Sequence, residues 1–355
     1  MSDPPALPGA AVPEPRGVAA VPSRPERTAV VVAVLTYRRP NDLAALLPEL
    51  RKQVDDVVGR CRASVLVVDN DAVGSASGIV AGAADPGVRY VVEPTPGIAA
   101  ARNRALDEAA DADILVFIDD DELPSEHWLA NLLDTAQRTG ASAVAGAVAS
   151  EFDGELEPWL AAGEFFRRRR LPTGTPIDVA ATNNLLLDLR VVRRLGLRFD
   201  LALGLTGGED TLFTRTLHAH GERMAWCNEA LVTDRVPRAR MTRTWVLARA
   251  FSSGNARTEV ALRLARGPQA RLAAYADALR AGLPRLVGGG LRFVLGLALR
   301  SHRHQAKGLR TAYRGAGMLA GVVGHRFEEY ARVDVAAAPP REGAPPPGPT
   351  HRAAS

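Results

Sequence analysis

Residues 114–122, Ile114-Leu115-Val116-Phe117-Ile118-Asp119-Asp120-Asp121-Glu122, pass from five apolar side chains into four acids with no spacer. Such a run reads as a strand buried on both faces, as strands of a parallel sheet are, with the acids at its carboxyl end. The arrangement recurs upstream. Ala29 to Leu35 ends in Thr36-Tyr37-Arg38, Ser64 to Val68 in Asp69-Asn70-Asp71, and Arg89 to Val92 in Glu93-Pro94. Amphipathic stretches from Asn41 to about Val58 and from about Ile98 to Ala110 are predicted as helices. Strand and helix alternating at this spacing predict an α/β fold with a mostly parallel, doubly wound sheet. Ligands of such sheets bind beyond the carboxyl ends of the strands, where polar groups converge here.

After residue 150 the alternation weakens. A strand is expected at Leu185 to Leu187, a turn at Gly204-Leu205-Thr206-Gly207-Gly208, a helix from about Thr211 to His220, and mainly helix over 243–332. Residues 1–27 and 338–355 are Pro-rich and read as disordered. The 355 residues are 46% apolar and 24% charged, enough for a sizeable core. Cys61 and Cys227 stand far apart, which argues against a disulfide framework or thiolate metal site and fits a reducing cytosol. No signal peptide and no spanning helix is expected. Charge is unevenly placed: residues 1–235 hold 24 Lys+Arg against 34 Asp+Glu, and residues 236–332 hold 18 against 4. An acidic body carries a basic extension.

Asp119 and Asp121 are two apart, so if the extended backbone persists their side chains leave on one face and can share a cation. Magnesium or manganese held by one or two carboxylates completes its shell with phosphates and water, which suits a diphosphate ligand. The alternative is a solvated acidic turn that caps the next helix. Glu209 and Asp210, after Gly207-Gly208, are either helix-start caps or a general base for a hydroxyl nucleophile. Gly97-Ile98-Ala99-Ala100-Ala101-Arg102-Asn103 opens a helix whose first turns carry Arg102 and Arg104; it suits phosphate oxygens, or is a basic surface helix. Gly-x-Gly-x-x-Gly is absent after the first strand, which excludes a dinucleotide fingerprint. Arg167 to Arg170 and the basic region from Arg235 to Arg314 have few interleaved aromatics and no nucleic-acid signature, so no nucleic-acid partner is expected. Leu283 to Arg300 and Arg314 to His325 alternate apolar runs with arginine. They read either as interfacial helix on an anionic membrane or as a helical subdomain packed on the body.

Taken in order, Val34-Leu35-Thr36-Tyr37-Arg38-Arg39-Pro40, Val67-Val68-Asp69-Asn70, Glu93 to Asn103, Asp119 to Asp121, Thr182-Asn183-Asn184 and Gly208-Glu209-Asp210 resemble the inverting family 2 glycosyltransferases of the GT-A fold. The resemblance runs from Thr28 to about Arg257. It implies a catalytic domain over 28–236, a basic helical extension over 237–332, and Pro-rich tails at 1–27 and 333–355. It also implies a nucleoside-diphosphate sugar as donor, with Thr36 and Asp69 at the base or ribose and Arg102 near the nucleotide. Tyr37, Glu93, Gly97 and Asn184 are further donor-binding candidates within the matching motifs. Asp119 would approach ribose and metal, Asp121 would ligate Mg2+ or Mn2+, and Asp210, with Glu209 next in line, would be the catalytic base. The segment from Arg243 to Trp245, with Gly254-Asn255, resembles the helix that closes the acceptor side.

Where the family often has a metal-binding histidine, Leu231-Val232-Thr233 leads to Asp234, which is expected to end a strand and would either ligate the metal through oxygen or pair with Arg235 or Arg238. The Gln-x-x-Arg-Trp motif of processive synthases is absent, so single sugar transfer is expected. Asp210 would deprotonate an acceptor hydroxyl as it displaces the nucleoside diphosphate in line, inverting the anomeric carbon. The acceptor would be a glycan, lipid-linked or of the cell envelope, with the protein cytoplasmic and peripheral on the inner face of an anionic membrane. A nucleotidyltransferase would need a glycine-rich loop where Thr36 to Pro40 stands. A non-catalytic nucleotide-sugar binding module would bind donor without turnover.

Overall fold

The computed structural model describes residues 27–327. The Pro-rich tails, apart from Arg27, and the end of the expected basic extension lie outside them. The chain opens with β1 (Ala29–Thr36), α1 (Pro40–Asp56), β2 (Arg62–Asp69), α2 (Ser77–Ala83), β3 (Val88–Val92), α3 (Ile98–Glu108) and β4 (Ile114–Asp119). The predicted alternation is present, with α2 added. β1, Ala-Val-Val-Val-Ala-Val-Leu-Thr, is rich in valine and divides by pleat. Val30, Val32 and Val34 join one core with Leu43, Leu46 and Leu50 of α1; Val31, Ala33 and Leu35 join another with Ala99, Ala101 and Ala105 of α3. α1 has Pro40 in its first turn and buries positions 43, 46, 47 and 50, the stripe expected of a helix lying on a sheet.

The chain continues through β5 (Glu122–Pro124), α4 (Trp128–Thr139), β6 (Ala143–Phe152), α5 (Pro158–Gly163), β7 (Asn184–Asp188), α6 (Leu189–Leu195), α7 (Glu209–Ala219) and β8 (Met224–Val236). The sheet order is β3-β2-β1-β4-β7-β6-β8-β5. It is parallel from β3 to β4 and between β6 and β8, and antiparallel where β7 meets β4 and β6 and where β5 meets β8. The sheet is therefore mixed, with its wholly parallel half confined to the part whose alternation was legible. Three local expectations are corrected. The extended backbone does not persist past Asp119, because Asp120 and Asp121 form the turn between β4 and β5. α7 begins at Glu209, two residues before Thr211, so both acids stand in its first turn. Asp234 does not end its strand; β8 runs to Val236 and places Asp234 opposite Glu122.

The basic region forms α8 (Arg243–Leu264), α9 (Pro268–Ala298) and α10 (His302–Val322), as expected of a mainly helical extension. α9 and α10 make an antiparallel hairpin in which Gly282, Gly289 and Gly296, seven apart, are buried against α10. α10 also lies on α8 in backbone contact: a Cβ on Gly254 would stand 2.0 Å from the Arg314 carbonyl oxygen. Ala306 of α10 is buried with Trp159 and Leu160 of α5 and Val246 of α8, so the extension is packed on the body. Because Gly254 has no room to relax, Gly254→Val is expected to destabilise the chain by about 1–3 kcal/mol, the usual cost of overpacking. Urea denaturation followed by circular dichroism checks this; an unchanged midpoint contradicts it.

Candidate active site

The turn after β4 gathers the acids. Asp119 closes β4 level with Leu35 of β1, and Glu122 opens β5 opposite Asp234 of β8. Buried Thr36 donates to Asp120 Oδ2 at 2.8 Å. Arg39 donates to Asp120 Oδ1 at 2.9 Å and to Asp121 Oδ2 at 2.8 Å, and Arg240 approaches the same Asp121 oxygen at 3.3 Å. Asn183 donates to Glu122 Oε1 at 2.5 Å. Asp234 is buried and paired with Arg168, not with Arg235 or Arg238. Burial pushes the Asp119 carboxyl up to about 6 against the pull of Arg102, and Asp120 up to about 7 against that of Arg39. Glu122 is raised further by burial, with Asp119 and Asp234 adding to it.

Among the described residues no three His, Cys, Asp or Glu side chains are grouped as a metal-ligand set. Asp121 and Asp234 are turned onto arginines instead. The donor chemistry nevertheless suits a hard divalent cation, since all the candidates are carboxylate oxygens crowded at one strand end.

The Gly208-Glu209-Asp210 segment meets this turn through Arg102. That side chain is buried, pairs with Glu209, lies 5.6 Å from the Phe199 ring centroid and pulls on the Asp119 charge. Motifs 90 residues apart in the chain are thereby one site. Glu209 is buried, with Oε2 lacking a hydrogen-bond partner among the described residues, and burial pushes its carboxyl up to about 7 against Arg102. Asp210 is only half-buried; its Oδ1 accepts from the Thr211 hydroxyl at 3.2 Å.

Several expected donor contacts are engaged within the chain. Asp69, fully buried, accepts from Ala76 N at 2.7 Å, the Tyr90 hydroxyl at 2.9 Å and Asp71 N at 3.0 Å. Asn184, 2% exposed, gives both amide hydrogens to the Ala147 and Ala230 carbonyls and accepts from Trp128 Nε1, all at 2.9 Å. It clamps β7 to β6 and β8, and its neighbour Asn183 faces the acids. Tyr37 is half-buried at the rim, and Glu93 accepts from Thr95 N at 2.8 Å. Gly97, at φ +115°, lets the start of α3 meet the Gly204 turn, whose carbonyl accepts from Ile98 N at 3.3 Å. That end of α3 therefore faces the turn.

Sequence reasoning singled out neither Arg39 nor Arg168 as counter-charges, nor Asn70, which links Glu93 O, Thr95 O and Gly97 N across the rim. The Arg-Arg pair at 38–39 beside the first strand was the available signal for Arg39.

The raised carboxyls have a stability consequence. A folded-state value above the unfolded one gives stability that is complete below the unfolded value, 3.8 for Asp119 and Asp120 and 4.5 for Glu209, and lost as pH rises through about 6 to 7. With EDTA present, the unfolding midpoint is expected to fall between pH 5 and 8, and less steeply in Glu209→Gln. Scanning fluorimetry checks this; a midpoint that rises across that window contradicts it.

Comparison with known proteins gives the family and the fold. The family model for Glycosyl transferase family 2 matches residues 31–195. The chain is 39% identical over 226 residues to the succinoglycan biosynthesis protein ExoM of Rhizobium meliloti (strain 1021), covering 63% of this chain and 72% of that one. Among solved structures it is similar to the mannosyltransferase PcManGT from Pyrobaculum calidifontis in complex with GDP-Man and Mn2+. The TM-score there is 0.54 at 19% identity, over 84% of this chain and 88% of that one. On the fold, the acid turn and the paired motifs together, the chain belongs to glycosyltransferase family 2 and has the GT-A fold.

Proposed function

We propose that the protein transfers a single sugar, with inversion, from a nucleoside-diphosphate donor to a hydroxyl of a glycan acceptor in cell-envelope polysaccharide synthesis. The observation that carries the reading is Arg102, which pairs with Glu209 and acts on Asp119, so that a donor-side acid turn and a base-side helix start form one site. Asp210 is the base because it is the half-buried acid of the pair, whereas Glu209 is buried beneath it on Arg102. Asp210 takes the proton of the acceptor hydroxyl as that oxygen attacks the anomeric carbon. Glu209 fixes Arg102, and Arg102 with Arg39 sets the positive charge facing the leaving diphosphate. Asp119 and Asp121 would hold a divalent cation, Asp121 exchanging Arg39 and Arg240 for it. When bound, the cation neutralises charge on the diphosphate. Asp234, engaged by Arg168, is a weaker candidate ligand. The mannosyltransferase bound to GDP-Man and Mn2+ and the succinoglycan relative support this donor class, metal class and acceptor class.

A peripheral position on an anionic membrane fits the extension. Among the described residues no helix is long and apolar enough to cross a membrane. α9, 31 residues long, exposes Leu279, Leu283, Val287, Leu291 and Val294 on one side, and Arg271 and Arg280 of the same helix are exposed and suited to lipid headgroups.

Asp210→Asn is expected to keep donor binding and lose turnover by roughly 10² to 10⁴. Release of nucleoside diphosphate from nucleotide sugars measures it; near-normal turnover would move the base elsewhere. Asp121→Ala should abolish the dependence of nucleoside-diphosphate affinity on Mn2+ without unfolding the chain. Calorimetry with and without the metal tests this, and an unaltered metal dependence would contradict the ligand role.

A further inference from the structure

A cavity of about 160 Å³ lies between α8 and α10, away from the acid turn. Among the described residues its polar lining is Arg249, Ser253, Arg310 and Arg314, and its walls include Phe165 and Trp245. The volume is that of about five waters. The Arg310 side chain is held in place: it donates to the Glu164 carbonyl at 3.3 Å and lies 5.6 Å from the Phe165 ring centroid. The backbone of Arg314 meets α8 at Gly254, which sets where that side chain leaves α10. Burial, then the like charges of Arg285, Arg257 and Arg310, holds the Arg314 guanidinium below its ordinary value. Positive charge is concentrated here at a cost that a bound anion would relieve.

The cavity is also placed by α8. Arg249, Ser253, Ala256 and Val260 follow one another at intervals of four, three and four, which is one helix face. Ala256 and Val260 abut Gly208: a Cβ there would lie 3.2 and 3.3 Å from them. Arg249 is seven residues from Ala256, about 10 Å along the helix. The anion pocket and the Gly208 turn that precedes Glu209 and Asp210 thus lie along one face of α8.

We propose that this cavity binds a phosphate or diphosphate carried by the acceptor, a reading that rests on the glycosyl transfer proposed above. Arg310 and Arg314 supply donors to the phosphoryl oxygens, and Trp245 and Phe165 cover the group attached to them. Free inorganic anions share this chemistry, so the test separates the two sources. Calorimetry on the full chain in EDTA, which keeps diphosphate off the acid turn, would use inorganic pyrophosphate and farnesyl diphosphate as probes. Both should bind, the prenyl form at least ten-fold more tightly. Arg314→Gln and Arg310→Gln should each weaken binding at least ten-fold, and Arg271→Gln, on the exposed part of α9, should not. Arg310→Gln keeps the test open if Arg314→Gln fails to fold. Equal affinity for the two probes would assign the cavity to free anions and overturn the acceptor role. Absence of binding, or binding indifferent to both pocket substitutions, would overturn the site itself. Nucleoside-diphosphate release by the wild-type protein, which does not need the pocket, tests the glycosyl transfer separately.

Discussion

Four consecutive carboxylates at the end of a buried strand repel one another in a medium of low dielectric, and the site is arranged around that cost. Asp120 is held by Thr36 and Arg39, Asp121 by Arg39 and Arg240, Glu122 by Asn183, and Asp234 across the sheet by Arg168. These partners come from the end of β1 and the loop after it, the segment after β8, the residue before β7 and the loop after α5. The acid turn therefore dictates where four separate parts of the chain stand. In the proposed reaction donor and cation would enter an electrostatic frame already balanced by arginine and would exchange with those counter-charges.

The second organising contact is the backbone meeting of α8 and α10 at Gly254. It ties the basic helices to the body, and through Ala256 and Val260 α8 lies against Gly208, the residue before Glu209 and Asp210. The extension is thus continuous with the side of the molecule that carries the proposed base, which relates the acceptor reading to the catalytic one.

The parallel half of the fold was legible because β1, β2 and β4 are buried on both faces and therefore uninterrupted in their hydrophobicity. β6 was not, because Ala-Val-Ala-Gly-Ala-Val-Ala-Ser carries small side chains with weak contrast, and its pairing with β8 shifts register between Gly146 and Ala147. At the site, residue types and order were readable, since acids after a strand have few other uses. Partners were not. Asp234 and Arg168 are 66 positions apart and Arg102 and Glu209 are 107 apart, and nothing local in either stretch specifies the pairing. Asn184 shows the same limit in reverse: its motif suggested a ligand contact, yet Trp128, Ala147 and Ala230, all distant in sequence, engage its amide.

The central claim is that one in-line displacement at Asp210 joins the acid turn to the acceptor. Its most direct measurement is the anomeric configuration of the transferred sugar, read by proton NMR coupling constants in the first-formed product and compared with that of the nucleotide sugar. The account predicts opposite configurations in donor and product. A product that retains the donor's configuration would contradict it.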